Sequence, residues 1–358
     1  MIRQGGSAIR LVQPLPDFPV QLVETPDNPI PRRGNVMRIE TEDGLALRAA
    51  RWRPTARRDR GTICILQGRA EFIEKYFETV RDLRRRGFAV VAFDWRGQGL
   101  SDRQIGDPYK GHVRSFGEYS LDLEAIRANV LEPYMPKPHF GLAHSMGGAI
   151  ALVEAREGRL PFERLVTTGP MLALCLLKSP KVAASTALAL RLLGWGGSYV
   201  PTGGATSIAK KPFAGNMLTS DPDRYARNAV AASALGHGAI GDPTVAWMNA
   251  AFRFMRKFAD PRFPRDIRTP TLIVAAGADP ICATPVIERF AARLKAGHAI
   301  VLPGARHEIL MERDAIREEF WAAFDAFIPG TPDPTFDYST IEELERGVVD
   351  TAVAGGAD

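Results

Sequence analysis

The chain has 358 residues, 45% of them hydrophobic and 24% charged, and a formal net charge of +5. This composition is ordinary for a globular protein and provides enough apolar side chains for a large buried core. No uninterrupted apolar run reaches the ~18 residues of a membrane span, and the N-terminal residues lack the apolar segment of a secretory signal. A cytoplasmic protein is therefore the default expectation, rather than a secreted or membrane-spanning one.

The cysteines and histidines follow no recognisable metal or disulfide pattern. Cys64, Cys175 and Cys282 are odd in number and far apart in the chain, and the six histidines are scattered. Zinc sites and disulfide frameworks show closely spaced ligands or an even set of cysteines. The sequence therefore predicts neither a metal site nor a disulfide framework.

The charge is distributed unevenly along the chain. Residues 331–358 carry seven acidic residues and one basic residue, which leaves +11 on the remainder. A basic body favours anionic partners, such as phospholipid headgroups, although an ordinary solvated surface has the same appearance. No nucleic-acid-binding motif is present, so a nucleic acid is not an expected partner.

The first elements in chain order are an arm, a hairpin and a buried strand. Residues 1–35 are rich in proline and polar residues and are interpreted as an extended N-terminal arm. Residues 36–52 alternate apolar and polar side chains around Asp43-Gly44, which predicts a β-hairpin. The continuous apolar run over 62–68 is typical of a strand that is buried on both faces.

From that strand onward, predicted strands and helices alternate. Further strands are expected at 88–95, 139–145, 164–170, 271–278 and 298–305, and helices at 71–86, 116–132, 146–157, 285–296 and 312–327. Such alternation predicts an α/β fold with a mostly parallel central sheet flanked by helices.

The alternation is interrupted over residues 171–256, after the sixth predicted strand. This segment is partly apolar, with helical patterns over 222–236 and 242–257. An insertion on the side where parallel strands end lies above any site there, so we interpret it as a helical cap. The alternative is a set of peripheral helices without a substrate role. The core then comprises residues 36–170 and 257–330, followed by the acidic tail 331–358.

Residues 141–148, GLAHSMGG, pass from a strand through Ser145 directly into small residues that begin a helix. The pattern G-x-S-x-G places a serine nucleophile on a strained strand-to-helix turn. Here Ala143 occupies the position of the first glycine, which adds a single methyl group. The motif predicts that Ser145 is a nucleophile.

A serine nucleophile of this kind needs an acid and then a histidine later in the chain. Asp279 follows the strand predicted over 271–278, and His307 follows the one over 298–305. Taken singly, a serine in the place of Ser145 is usually a helix N-cap, an aspartate in the place of Asp279 a turn residue, and a histidine in the place of His307 part of the polar surface. Their order and placement together predict a catalytic triad. His144 is also close to Ser145 in sequence, but as its neighbour it should point away and have a structural role.

Acyl transfer also needs hydrogen-bond donors for the developing oxyanion. The backbone N–H of Met146, directly after the nucleophile, is one expected donor. The second is expected from the loop after the strand over 62–68, and we assign it to the backbone N–H of Arg69, next to Gly68. The alternative for this loop is an ordinary glycine turn.

Several motifs now resemble one family. LQGRAEFIEKY (66–76), DWRGQGLS (94–101) and LAHSMGG (142–148), together with Asp279 and His307, resemble the monoacylglycerol lipase and lysophospholipase group of α/β-hydrolases. The resemblance covers roughly residues 36–328. It implies an α/β-hydrolase fold with a cap after the sixth strand, and hydrolysis of single-chain acyl esters through an acyl-enzyme without metal or organic cofactor.

The resemblance also implies roles for individual residues. Glu71 and Lys75 match the positions that bind the glycerol head group in glycerolipid-cleaving members, although Glu71 is also suited to capping the following helix. DWRGQGLS is expected to pack beside the oxyanion loop. Gln67 departs from the group by replacing a histidine. Because the predicted oxyanion donors are backbone groups, activity is expected to survive this change.

The predicted substrate is a small-molecule lipid ester whose acyl chain lies along the apolar cap. Met171 and Leu172 are expected to line this acyl channel, together with Leu174, Leu176 and Leu177. A short-acyl esterase or a peptidase on the same scaffold, or a non-catalytic lipid-binding relative, remains an alternative. Transient contact of the cap and the basic body with an anionic membrane is also left open, as are the head group and the oligomeric state.

Overall fold

The computed structural model describes residues 21–56, 60–175 and 179–329. Within them, eight strands form one sheet in the order β1-β2-β4-β3-β5-β6-β7-β8. β1 pairs antiparallel with β2, and β2 antiparallel with β4, whereas the remaining neighbours are parallel. The strands are β1 (Asn35–Glu40), β2 (Ala46–Trp52), β3 (Thr62–Leu66), β4 (Ala89–Phe93), β5 (His139–His144), β6 (Arg164–Thr168), β7 (Thr271–Ala276) and β8 (Gly297–Leu302). The mostly parallel sheet predicted from the sequence is confirmed.

The first two strands form the predicted hairpin. Gly44 lies in its turn with φ +81°, a left-handed conformation that glycine adopts without strain. Before the hairpin, the described end of the predicted arm lies against the core. Trp52 Nε1 donates a hydrogen bond of 3.0 Å to the Pro31 carbonyl, and the Val23 N–H donates one of 3.1 Å to Glu74.

Helices connect the parallel strands. They are α1 (Phe77–Arg85), α2 (Glu118–Ile126), α3 (Glu132–Tyr134), α4 (Ser145–Arg156), α5 (Pro180–Leu192), α6 (Pro222–Ala234), α7 (Val245–Met255), α8 (Thr284–Ala291) and α9 (Asp314–Phe327). The helix predicted over 71–86 begins as a 3-10 turn, Ile73–Tyr76. The one predicted over 116–132 passes through a π-helical turn, Arg127–Leu131.

Among the described residues, two large apolar clusters lie on opposite faces of the sheet, and a third, smaller cluster contains Phe72, Leu100 and side chains of α6. Alternate strand residues such as Cys64 and Ile65 are both buried but belong to different clusters, as the two-residue period of a strand requires. One large cluster contains side chains of α2, α4, α7 and α8, and the other large cluster contains side chains of α1 and α9. Helices therefore cover both faces, which explains why the strands have continuous apolar runs.

The helical insertion follows the sixth strand, as predicted, because α5, α6 and α7 lie between β6 and β7 in the chain. We propose that residues 171–256 form the cap over the carboxyl ends of the strands. Leu176 and Leu177, most of the N-terminal arm and the acidic tail 331–358 lie outside the described residues. Among those residues, no helix combines the length and apolar character that crossing a membrane requires.

Candidate active site

The chain turns sharply at Ser145, between β5 and α4. Ser145 has φ +50°, a left-handed conformation that costs a non-glycine residue roughly 1–3 kcal/mol. The two glycines after Met146 leave no space for a side chain. A Cβ at Gly147 would lie 2.3 Å from the Leu66 carbonyl oxygen, and one at Gly148 would lie 2.2 Å from Thr167 Oγ1. Ala143 is buried in β5 opposite Leu66, so the strand accommodates its methyl group.

The three residues predicted as a triad converge at the carboxyl ends of their strands. His307 Nε2 lies 2.9 Å from Ser145 Oγ, and His307 Nδ1 lies 2.8 Å from Asp279 Oδ2. These distances fit a tautomer whose Nδ1–H donates to Asp279 while Nε2 accepts the serine proton. The structure thus brings together side chains that are 134 and 28 residues apart in the chain.

Asp279 is held in place by its own surroundings. Its Oδ1 accepts hydrogen bonds of 2.8 and 2.9 Å from the N–H groups of Ile281 and Cys282. Burial alone would raise the pKa of Asp279, but the hydrogen bond and charge of His307 outweigh it and lower the pKa below its usual range. The carboxylate is therefore ionised and oriented toward the imidazole at neutral pH.

His144 packs against the proposed base, with ring centroids 4.8 Å apart, and is hydrogen-bonded to Thr168 rather than to Ser145. Its Nδ1 lies 3.0 Å from Thr168 Oγ1, and burial lowers the pKa of His144 to about 3. A neutral, buried imidazole without a hydrogen bond to Ser145 has no part in deprotonating it.

The loop after β3 lies against the start of α4, since the Leu66 and Gln67 carbonyls are the nearest atoms to a Cβ at Gly147. In this loop the Gly68 N–H donates 2.5 Å to Glu71 Oε2, and the Ala70 N–H donates 3.2 Å to Gln98 Oε1. The intervening Arg69 N–H has no acceptor among the described residues.

The other expected donor, the Met146 N–H, lies in the first turn of α4, where backbone N–H groups lack an intrahelical acceptor. Oxyanion binding by the Met146 and Arg69 N–H groups stays a prediction.

The DWRGQGLS segment packs against the loop after β3, as predicted, and forms hydrogen bonds with it. Gln98 Nε2 donates a hydrogen bond of 2.8 Å to the Gly68 carbonyl, and Trp95 Nε1 donates one of 2.9 Å to the Gln67 carbonyl. Ala70 has φ +61°, so the loop is held in a strained conformation. Contacts from outside the loop maintain that conformation.

Glu71 and Lys75 lie beside the oxyanion loop but are engaged by protein groups. Glu71 also accepts 2.6 Å hydrogen bonds from Tyr76 Oη and Lys75 Nζ, and Lys75 Nζ lies 2.5 Å from Glu308 Oε1. The Glu71 and Lys75 side chains are only 5% and 4% exposed. The 3-10 turn that follows has no side-chain cap, so Glu71 does not cap it. Contact of these residues with a substrate head group stays a prediction.

Glu308 is a member of this site that sequence reasoning missed. It follows His307 directly and is buried. The available signal was an acidic residue between the expected base and the apolar residues Ile309, Leu310 and Met311.

The residues predicted to line an acyl channel lie beside the nucleophile. The Met171 N–H donates a hydrogen bond of 3.0 Å to the Ser145 carbonyl. Leu172 lines a cavity of about 970 Å³, together with Leu174 and side chains of α5, α7 and α8. Met171 itself is buried and is not among the lining residues. A mostly apolar cavity of this size suits an extended acyl chain.

One group of potential metal ligands exists among the described residues, and it overlaps the triad. Donor atoms of Asp279, Cys282 and His307 lie within 4.8 Å of one another. However, Asp279 and His307 are already hydrogen-bonded to each other, and burial raises the pKa of the Cys282 thiol well above its usual value. Because metals bind the thiolate, this set fits a triad better than a metal site.

Comparison with known proteins agrees with this fold. The sequence model of the family described as "Serine aminopeptidase, S33" matches residues 57–314. Lysophospholipase L2 of Escherichia coli strain K12 is 31% identical over 313 residues, covering 83% of this chain and 88% of that protein. The probable lysophospholipase L2 of Haemophilus influenzae is 28% identical, covering 75% of this chain and 84% of that protein.

The solved structure of a soluble variant of monoglyceride lipase from Saccharomyces cerevisiae, in complex with a substrate analog, superposes with a TM-score of 0.63 at 18% identity. It covers 87% of this chain and 98% of the lipase. The chain therefore belongs to the serine aminopeptidase S33 family of α/β-hydrolases, in the group that contains lysophospholipases and monoglyceride lipases.

Proposed function

We propose that this protein is a serine hydrolase that cleaves carboxylic esters of single-chain acyl lipids through an acyl-enzyme. The observation that carries the proposal is the alignment of Ser145 Oγ, the His307 imidazole and the Asp279 carboxylate at 2.9 and 2.8 Å on a strained strand-to-helix turn. A serine placed in this way gains a base for its proton and a carboxylate that fixes the base's tautomer.

In the proposed reaction, His307 takes the proton of Ser145 as Oγ attacks the ester carbonyl. The backbone N–H groups of Met146 and Arg69 stabilise the tetrahedral oxyanion, and each such donor is typically worth ~3–4 kcal/mol. His307 then protonates the leaving alcohol. Water, activated by the same imidazole, hydrolyses the acyl-enzyme, while Asp279 stabilises the imidazolium in both halves. None of these steps requires a metal or an organic cofactor.

The apolar cavity lined by α5 and α7 supports a lipid ester as the substrate class. Its apolar lining begins at Leu172, next to the residue that is hydrogen-bonded to the Ser145 carbonyl. The similarity to lysophospholipase L2 and to monoglyceride lipase supports the same class. The substrates of a peptidase or a short-acyl esterase do not need an apolar cavity of this size. A non-catalytic lipid-binding relative has no need of a base hydrogen-bonded to a strained serine.

Hydrolysis of a panel of monoacylglycerols and lysophospholipids by the wild type, Ser145→Ala and Ser233→Ala tests the proposal. Ser233 is an exposed serine on α6 that bonds only to its own helix, so its alanine variant controls for serine removal. We expect Ser145→Ala to lose more than about 10³-fold in kcat and Ser233→Ala to match the wild type. Wild-type rates in Ser145→Ala would refute the mechanism, and a wild type that binds but cleaves none of the panel would favour the non-catalytic alternative.

Transient contact with an anionic membrane surface is part of the same proposal. Apolar side chains on and after α5 are exposed, among them Leu192 at 78%, Leu193 at 71% and Trp195 at 59%. Cationic side chains line the cavity beside this face: Lys181, Arg191, Arg253 and Arg256. Among the described residues, none of these four cations forms an ion pair. An apolar face flanked by unpaired cations has the character of a segment that binds the interface of an anionic bilayer.

A further inference from the structure

A buried ion cluster connects the two loops that carry the proposed catalytic groups. Its members are Glu71, Lys75 and Glu308, none more than 7% exposed. Lys75 Nζ lies 2.6 Å from Glu71 Oε1 and 2.5 Å from Glu308 Oε1. Glu71 belongs to the segment after the oxyanion loop, and Glu308 to the loop of the proposed base. One ammonium group therefore spans two segments that are 237 residues apart in the chain.

Each end of the cluster is attached to a proposed catalytic element. Glu71 Oε2 accepts the Gly68 N–H at 2.5 Å, which fixes the peptide just before Arg69, the proposed oxyanion donor. Glu308 is the residue after His307, and its own N–H donates 2.8 Å to the Leu218 carbonyl. Small displacements of either group are costly, because a misplacement of about 1 Å can reduce a rate about 10²-fold.

The space between the members of the cluster is too small for a ligand. It is a cavity of only about 10 Å³, which holds at most one water molecule. Burial alone would raise the pKa of Glu71, but the charge of Lys75 outweighs it and brings the pKa to about 2. Burial and the charge of Glu71 raise the pKa of Glu308. Two carboxylates with one shared cation form a linked unit, because removing the cation leaves both of them unpaired.

We propose that Lys75, by bridging Glu71 and Glu308, sets the position of the oxyanion loop relative to the histidine loop, and that these three are positioning residues for the reaction. The inference rests on the proposed function of Ser145. It assigns the three side chains to the geometry of the transition state rather than to binding of a substrate head group.

A double-mutant cycle with Glu71→Gln and Glu308→Gln tests this proposal. Both amides keep the shape of the side chain and an oxygen that accepts from Lys75. We expect each single variant to lose about tenfold in kcat, with KM changed less than twofold for monoacylglycerols and lysophospholipids alike. Because the two carboxylates act through one lysine, the double variant should lose little more than either single variant, rather than the product of both losses.

Asp325→Asn is the matched control, since it removes a carboxylate that pairs with Arg86, the C-cap of α1, and not with any member of the cluster, and it should leave kcat unchanged. Thermal unfolding shows whether each variant is folded. If Glu71→Gln does not fold, Tyr76→Phe replaces it, because it removes a single hydrogen bond to Glu71.

Multiplicative losses in kcat, or changes confined to KM that differ between head groups, would overturn the bridging role. An inactive wild type would overturn the proposed function instead, so the two failures are distinguishable.

Discussion

The backbone N–H of Met171 donates a hydrogen bond of 3.0 Å to the carbonyl oxygen of Ser145. The first residue of the proposed cap is thereby attached to the peptide of the proposed nucleophile, and the next residue, Leu172, already lines the 970 Å³ cavity. An acyl chain that leaves the nucleophile along this segment enters the space between α5 and α7. We therefore expect the cavity to determine the selectivity for acyl-chain length.

Filling the cavity should discriminate against long acyl chains. Ala184 on α5 lines it and is partly exposed, so Ala184→Trp adds an indole without replacing a buried core residue. We expect kcat/KM for lauroyl and longer p-nitrophenyl esters to fall about tenfold, the range typical of a steric change in an apolar pocket, while the acetyl ester changes less than twofold. Ala189→Trp, at an exposed position on the same helix outside the cavity lining, is the control. Equal losses on both esters would place the acyl chain elsewhere.

Replacing the carboxylate that orients the base should reduce turnover while preserving the fold. In Asp279→Asn the amide presents an N–H toward His307 or loses the two backbone donors of Ile281 and Cys282, so the imidazole adopts an unproductive tautomer. We expect kcat to fall about 10⁴-fold, the loss that this change causes in a characterised Ser-His-Asp enzyme. Steady-state hydrolysis of p-nitrophenyl esters measures the loss, and thermal unfolding verifies the fold. If the variant retained a tenth or more of the wild-type kcat, a residue other than Asp279 would have to orient His307.

The placement of the oxyanion loop can be changed at one glycine. A Cβ at Gly68 would lie 2.9 Å from His144 Cδ2 and 3.0 Å from Glu71 Oε2, so Gly68→Ala forces either these side chains or the loop that carries the Arg69 N–H to move. We expect a loss of about 10²-fold in kcat with KM within threefold. Gly106→Ala, where no atom lies within 4 Å of the added Cβ, should behave as the wild type. A normal kcat in Gly68→Ala would remove this loop from the oxyanion hole.

The turn at Ser145 and the proposed partners Asp279 and His307 could be predicted from the sequence, because each of them follows a strand that is recognisable from its own local pattern. A serine between a strand and a run of small residues, and an acid and a histidine after later strands, follow from hydrophobic periodicity and chain order alone. The strands and helices predicted from the sequence are present in the structure for the same reason.

The Glu71–Lys75–Glu308 cluster was not predictable in this way. Glu71 and Glu308 both contact Lys75 because the loops that follow β3 and β8 lie at the same edge of one sheet. No local sequence pattern encodes this long-range contact. The burial of Lys75 was not predictable either, since a lysine is expected at the surface from sequence alone.

Acid should weaken the attachment of α6 to the core through Glu78. Burial alone would raise the pKa of this α1 carboxylate, but hydrogen bonding from Arg224 and the charges of Arg317 and Arg227 lower it to about 2. A lowered folded-state pKa stabilises the fold above the unfolded value near 4.5, and this contribution is lost as the pH falls toward 2. We expect Glu78→Gln to reduce the free energy of unfolding by about 3 kcal/mol at pH 6, measured by urea denaturation. The difference from the wild type should shrink steadily below pH 4.5, and a difference independent of pH would exclude this origin.

The exposed apolar face after α5 should bind anionic bilayers in a salt-dependent way. Trp195 and Leu192 are 59% and 78% exposed, beside the cations Lys181, Arg191, Arg253 and Arg256 that line the cavity, so both apolar insertion and charge attraction contribute. We expect the wild type to co-sediment with phosphatidylglycerol-rich vesicles, less with pure phosphatidylcholine vesicles, and less at 0.5 M salt, where exposed charges are screened. Leu192→Asp should reduce binding several-fold while hydrolysis of a soluble acetyl ester is unchanged, because Leu192 lines the cavity proposed for long acyl chains and an acetyl group does not need that cavity. Val230→Asp places the same charge on an exposed position of α6 and should bind as the wild type does. If both variants lose binding equally, general charge rather than this face governs the contact; if neither does, the membrane contact lies elsewhere on the protein.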